Sequence, residues 1–336
     1  MMPFETILTK SLGLKAPIIA APLGRGSSAD FLASVSRAGG FGFVALMHMP
    51  EDTVASELSA ISRATNGSFG VNLTLIVDQR KRLEAALAAG VRHFSMWHGD
   101  VAEYIPAIKK AGGQVFWTIG SVEDARRARQ LGVDWIVAQG REAGGHLVGS
   151  APIMSLLPAI VDAADGLPVI AAGGIADGRG LLAALSLGAC GIWMGTRFVA
   201  SQESANHPGY KEKVVGATAA DLVETKLFDS GWQDSPHRVI RNSTYENWIK
   251  SGRPANGRRP GEADVISRFP NGKPLLRYDV AAPWATMEGE WEAGPLYAGA
   301  STQLVHQILP VDDILAGIVD EAERELARVS RLHKAS

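Results

Sequence analysis

Eight short apolar runs, each followed by an amphipathic Ala/Leu-rich stretch, recur between residues 17 and 194 of this 336-residue chain. The runs are Pro17–Ala21, Phe41–Leu46, Phe69–Leu73, Arg92–Trp97, Gln114–Ile119, Asp134–Gln139, Pro168–Ala172 and Gly191–Met194. They are apolar throughout rather than alternating, the pattern of parallel strands buried on both faces. Between them, stretches such as Ser28–Ala38, Asp52–Ala64, Gln79–Ala88, Ala102–Ala111, Val122–Leu131 and Gly178–Leu187 place apolar residues three and four apart, the helical period. Gly39, Gly90, Gly112, Gly132 and Gly188 close helices, where a left-handed residue is wanted. Eight β-then-α units at a spacing of roughly 25 residues favour a closed α/β (β/α)8 TIM barrel. A doubly wound open sheet would want a G-x-G-x-x-G turn after its first strand, and APLGRGSS (21–28) matches that poorly.

A barrel needs only about 250 residues, so an insertion is expected. After Ser201 the rhythm breaks, and residues 204–290 are rich in Pro, Gly, Asn, Arg and Trp. A helix is predicted over Ala219–Leu227, and SGRPANGRRPGEAD (251–264) reads as loop. We read 204–290 as a smaller α+β lid or substrate domain inserted after the eighth strand, with 1–203 plus 291–336 forming the barrel. A helix over Val311–Leu326 is expected to pack back on that barrel.

With 46% hydrophobic and 20% charged residues, the chain has the material for a large core. A net charge of −2 gives no basic excess to hold nucleic acid. A single cysteine, Cys190, allows no intrachain disulfide and no cysteine-based metal site, and fits a reducing compartment. The opening residues show no basic segment followed by a long apolar run, and no stretch approaches the ~18 apolar residues of a membrane span. A cytoplasmic protein with no membrane partner is expected, its oligomeric state open and a homodimer among the options. No metal-binding spacing and no nucleophile elbow occurs.

Small residues gather at the C-terminal ends of the last two strands. AAGGI (171–175) and MGTRF (194–198) let backbone N–H groups approach a ligand, and a helix starting near Asp177 would add its positive end. Either pair alone would pass for a tight turn. Together, after strands seven and eight, they favour the usual phosphate seat of a barrel. Arg197 either adds charge there or makes a structural ion pair. His146 follows the three glycines of VAQGREAGGHLVGS (137–150) and is either a proton-transfer group or a surface-loop histidine. Glu142 either orients this loop or is solvated, and the solvated reading is favoured. Asp78, Asp100 and Asp177 read as helix caps. Asn72 and Gln139 end strands three and six, where an amide suits a cofactor or simply a turn. His48 and His98, ending strands two and four, are candidate pocket residues, with Met47 and Trp97 shaping an apolar wall.

Taken together, APIIAAPLG (16–24), GVNLTL (70–75), QGREAGGH (139–146), AAGGIADGRG (171–180), ALSLGACGIWMGTRFVAS (184–201) and LYAGAS (296–301) resemble the nitronate monooxygenases, formerly 2-nitropropane dioxygenases, over nearly the whole chain. The resemblance implies a non-covalent FMN at the barrel mouth. It puts Pro22, Leu23 and Gly24 by the isoalloxazine, and Asn72, Gln139 and Gly144 on the ring or ribityl chain. Ala172, Gly173, Gly174, Gly195 and Thr196 would hold the phosphate. His146 would take the α-proton of a nitroalkane or hold the nitronate. PHRVIRNST (236–244) looks like a monooxygenase feature that brings His237 toward the pocket. The implied reaction oxidises alkyl nitronates with O2 to a carbonyl compound and nitrite. An NAD(P)H-dependent flavin reductase of the enoyl-ACP or quinone type is the alternative, and a barrel binding a phosphate ligand without flavin a third. Two positions depart from the family pattern: Ala300 replaces a common glutamine, and Thr118 stands where some relatives carry lysine.

Overall fold

The computed structural model describes residues 4–334. Eight parallel strands close into a barrel: β1 (Ile18–Ala20), β2 (Phe41–Ala45), β3 (Gly70–Thr74), β4 (His93–Trp97), β5 (Gln114–Ile119), β6 (Trp135–Gln139), β7 (Val169–Ala172) and β8 (Gly191–Met194). Closure comes from β1 pairing with β8 in the register Ile18 to Ile192, Ile19 to Trp193 and Ala20 to Met194. Each sequence run lies within one or two residues of the strand observed. The reason is visible in the packing. Ile18, Val44, Ile136 and Val169 face the outer helices, while Ile19, Phe43, Val137 and Ile170 fill the barrel interior. Both faces are buried, so neither tolerates a polar alternation.

The interior is a packed floor and not a pore. Phe43 lies against Phe41, Phe116 and Trp193 at centroid distances of 5.3, 5.2 and 4.7 Å. Leu8, from the helix Ile7–Leu12, belongs to the same cluster. Above this floor the inward positions become polar: Thr118 follows Phe116 on β5, and Gln139 follows Val137 on β6.

Helices follow the first seven strands, among them Ile153–Ala164 after β6, which the sequence reading did not single out. Gly39 (φ 91°) and Gly132 (φ 74°) end their helices in the left-handed conformation, as their positions demand. The eighth place in the helical ring is taken by the last helix, Val311–Lys334. It packs against Ala29–Ala38 and Gly178–Ser186, the helices after β1 and β7. It runs eight residues beyond the expected Leu326.

Residues between β8 and that helix build an antiparallel sheet in which His237–Ile240 pairs with Leu222–Thr225 on one side and Leu296–Tyr297 on the other. The helix expected over Ala219–Leu227 is absent. A single turn, Ala219–Asp221, closed by reciprocal Thr218–Asp221 hydrogen bonds, leads straight into the strand Leu222–Thr225. Cross-strand pairing overrides the helical propensity of Ala219, Ala220 and Leu222. A hairpin, Val265–Arg268 with Pro274–Leu276, has its own small core around Ile266, Leu275 and Trp284.

Arg197 ties the start and end of this excursion together. Its Nη2 donates to the carbonyls of Ala200 (2.9 Å) and Gln307 (2.8 Å). Burial pushes the guanidinium down to about 10. It does not line the cavity described below and forms no ion pair among the described residues, so both sequence readings of this arginine give way to a backbone clamp.

Candidate active site

The C-terminal ends of the barrel strands open into one large cavity. Every proposed flavin contact lines it: Pro22, Leu23, Gly24, Asn72, Gln139, Gly144, Ala172, Gly173, Gly174, Gly195 and Thr196, together with His146. Among the described residues no aspartate or glutamate does.

The polar layer above the barrel floor is ordered by its own hydrogen bonds. Asn72 Nδ2 donates to Ser95 Oγ at 3.2 Å, and Thr74 Oγ1 donates to Asn72 Oδ1 at 3.2 Å. Gln139 is committed to the loop that follows it. Its Nε2 donates to the His146 carbonyl (3.2 Å), and its Oε1 accepts from the Val148 N–H (2.9 Å). One amide thus spans the base of the loop carrying His146 and fixes where the imidazole leaves the backbone.

The glycines have two different reasons. Gly173 (φ 97°) and Gly174 (φ 74°) adopt a backbone that side-chain-bearing residues rarely take. Gly144 is required by packing instead: a Cβ there would meet Gly299 N at 2.4 Å, so two backbones touch. Ala300 N–H donates to Glu142 O (2.9 Å), and Gly299 N–H to Thr196 Oγ1 (3.0 Å), so the AGA segment braces the 142–146 loop. The helix beginning at Gly178 does not offer a free N-terminus. Asp177 accepts from Gly180 N–H (2.9 Å), and Glu321 of the last helix accepts from Gly178 N–H (2.8 Å). Two carboxylates already answer that dipole, so a phosphate seat at these turns would rest on loop N–H groups and on the start of the short helix Thr196–Val199, whose N-cap Gly195 brings no side-chain cap. Of the other expected caps, Asp78 and Asp100 only bridge to N–H groups two residues on, at Arg80 and Ala102. Glu142 is not solvated either; both carboxylate oxygens accept from Ile153 N–H at 3.0 Å and cap the helix after β6.

His146 is buried inside a wall of rings. Trp232 lies flat on it (centroids 3.8 Å apart, planes 11°), and His237, Tyr297 and Trp97 stand at 5.0, 5.4 and 5.8 Å. The segment Gly145–His146 is a short strand paired with His237–Ile240, with His146 opposite His237 and Gly145 opposite Arg238. Arg238 reinforces the seam, donating to the carbonyls of Ala143 (3.2 Å) and Arg141 (2.7 Å).

The other candidate histidines stand back from the cavity. His237 is fully engaged: its Nε2 accepts from Phe228 N–H (3.4 Å), leaving Nδ1–H to donate to Ser235 O (3.0 Å). His98 packs edge-on against Trp97 and Trp232, with a backbone φ of 55°. Neither lines the cavity. His48 ends the turn Leu46–His48, and its side chain lies outside the described residues. Residues that sequence reasoning missed include Trp232, Ser95, Tyr210 and Asn206, all on the wall. Ser95 carried a signal, a hydroxyl inside a buried strand; Trp232 carried none.

Burial pushes both His98 and His237 down to about 4. An unfolded chain protonates these rings near pH 6.5, whereas the folded one resists until about 4. Their contribution to stability is therefore complete above pH 6.5 and is lost as pH falls toward 4, by of order 3 kcal/mol for each ring. Urea midpoints should fall across that window, and the gap between wild type and His237→Gln should narrow as pH drops. A constant gap would contradict the assignment.

Comparison with known proteins agrees with this geometry. The nitronate monooxygenase family model matches residues 5–97 and 77–321. A curated Mycobacterium tuberculosis relative, a hydroxy-methyl-oxo-octahydroindene-carboxyl-CoA dehydrogenase, is 30% identical over 98% of this chain and 99% of its own. Among solved structures, FabK from Thermotoga maritima superposes with a TM-score of 0.81 at 30% identity, covering 98% and 99% of the two chains. The nitroalkane oxidase of Streptomyces ansochromogenes gives a TM-score of 0.78 at 25% identity, covering 96% and 99%. These similarities make the chain a flavin-dependent oxidoreductase. The chain belongs to the nitronate monooxygenase family.

Proposed function

We propose that this protein oxidises alkyl nitronates with O2 to a carbonyl compound and nitrite, using FMN. The observation that best supports this is the place of His146 on the cavity wall, among described titratable groups that are unsuited to take a proton. Of the titratable side chains on the cavity wall, Arg25 is a cation, and Tyr210 and Tyr297 are phenols whose hydroxyls donate to Tyr297 O and Val280 O. Burial pushes both phenols up, away from any proton-accepting role near neutral pH. Among the described wall residues, that leaves His146 to accept an α-proton or to face an anionic nitronate.

The residues present fit FMN. Among the described residues no carboxylate lines the cavity, Gly173 and Gly174 form a left-handed turn, and Asn72, Thr74, Ser95 and Thr118 offer donors and acceptors above an apolar floor. The chemistry a bound flavin supplies is electron transfer from substrate to O2. This chain's residues would do the rest. Gly173, Gly174, Gly195 and Thr196 would seat the phosphate; Pro22, Leu23 and Gly24 would flank the ring. Gln139 holds the His146 loop in register, and the inserted residues exclude water from the imidazole. We read residues 204–290 as the lid that does this.

Nitrite release from ethyl nitronate by aerated holoenzyme is the deciding assay; none above the protein-free rate would overturn the proposal. A second reading, a nicotinamide-dependent reductase or dehydrogenase of thioesters, draws on the end-to-end match to the CoA dehydrogenase and to FabK. Anaerobic bleaching of the flavin by NADH would favour it.

A further inference from the structure

Trp232 belongs to no barrel strand. It sits on a turn of the inserted segment, where its N–H donates to Asp229 O (2.9 Å) and Gly231 and Asp234 take positive φ of 91° and 56°. The turn is anchored from the loop-rich run 251–264, which the chemistry above leaves unused. Buried Arg259 donates to the Leu227 carbonyl (3.0 Å) and the Asp229 carboxylate (2.7 Å), and lies over the Tyr278 ring at 4.1 Å. These bonds fix the start of the turn that carries the indole, and the indole itself packs among rings. One face covers His146, and T-shaped contacts join the indole to Trp97 at 5.2 Å and His98 at 4.8 Å. Both Trp97 and Trp232 form cavity wall.

We propose that Trp232 is the specificity-determining residue of this site, limiting the substrate to a compact, short-chain anion. The inference rests on the nitronate reading for the head group, but its argument is steric. A substrate must bring its reacting carbon to the imidazole, and any bulky chain or ring on that carbon needs the volume the indole fills. One methylene's worth of excluded or admitted volume changes discrimination by about 10- to 200-fold. Arg259, through Asp229, is a positioning residue for this wall.

The test uses unreactive carboxylates, which share the planar two-oxygen anionic head of a nitronate. Propionate and cyclohexanecarboxylate are titrated into holoenzyme by isothermal calorimetry. Wild type should bind propionate at least about tenfold more tightly, and Trp232→Ala should bring the ratio to one or invert it. Trp232→Phe, which keeps a ring over His146, should retain the wild-type order, and Trp232→Leu serves if the alanine variant does not fold. An unchanged ratio in the alanine or leucine variant, or no heat from either acid with any protein, overturns the proposal. Nitrite release by wild type is scored separately. Its absence would remove the reaction assigned above and leave the carboxylate ratio to judge Trp232.

Discussion

Replacing His146 by alanine is expected to lower kcat/KM for neutral nitroalkanes by about 10²- to 10⁴-fold, the usual worth of a positioned general base. Flavin content should stay at the wild-type level, because the imidazole projects from the loop after β6 and the glycine turns follow β7 and β8. Preformed nitronates need no proton removed, so they should lose much less. That split separates a base from a structural ring, since collapse of the aromatic wall would depress both substrates together. His146→Gln fills part of the space against Trp232 while offering no base, and should behave as the alanine variant does. Equal activity of either variant on nitroethane and wild type would end the assignment. Equal loss on nitroethane and its nitronate would reduce His146 to packing.

The barrel was legible because its strands obey one rule on two faces. Ile18 and Ile19 point in opposite directions, yet both are fully buried, so a continuous apolar run is the only sequence that satisfies the position. The site was legible where that rule is broken. Asn72 and Gln139 are polar residues ending otherwise apolar runs, and burying such groups is costly unless they are partnered or used; Ser95 breaks the rule in the same way and was overlooked. What stayed hidden was long-range. Nothing near Glu142 in sequence tells that its carboxylate caps the helix at Ile153, or that its carbonyl receives Ala300 from the far end of the chain. Gly144 lines the cavity, but nothing near it in sequence tells that Gly299 takes its Cβ space. Trp232 reads as one more aromatic residue in an irregular segment until the Arg259–Asp229 pair sets it on His146. The strand Leu222–Thr225 was misread as helix for the same reason: its partner, His237–Ile240, is a separate segment, and local propensity does not see it.

Gly174→Asp is expected to abolish flavin retention through two effects that add. The first is local. Gly174 has φ 74°, where a side chain costs roughly 1–2 kcal/mol, and its Cβ would stand 3.2 Å from Glu142 Cβ. Glu142 has little freedom to give way, because both its oxygens are held by Ile153 N–H. The second is electrostatic. With the helix at Gly178 already capped by Asp177 and Glu321, the proposed seat is left with loop N–H groups and the start of the short helix Thr196–Val199, and a new carboxylate at 174 would compete with the phosphate for them. Two unit charges about 4 Å apart repel by about 4 kcal/mol at an effective dielectric near 20, close to three orders of magnitude in affinity. Gly174→Ala carries only the first effect and should keep part of its flavin, so the difference between the two variants isolates the charge. Flavin stoichiometry of the purified proteins and fluorescence titration of the apoproteins with FMN read both. An aspartate variant that purifies with wild-type flavin would move the phosphate away from Gly174, and the seat would then have to be sought at Gly195 and Thr196 alone.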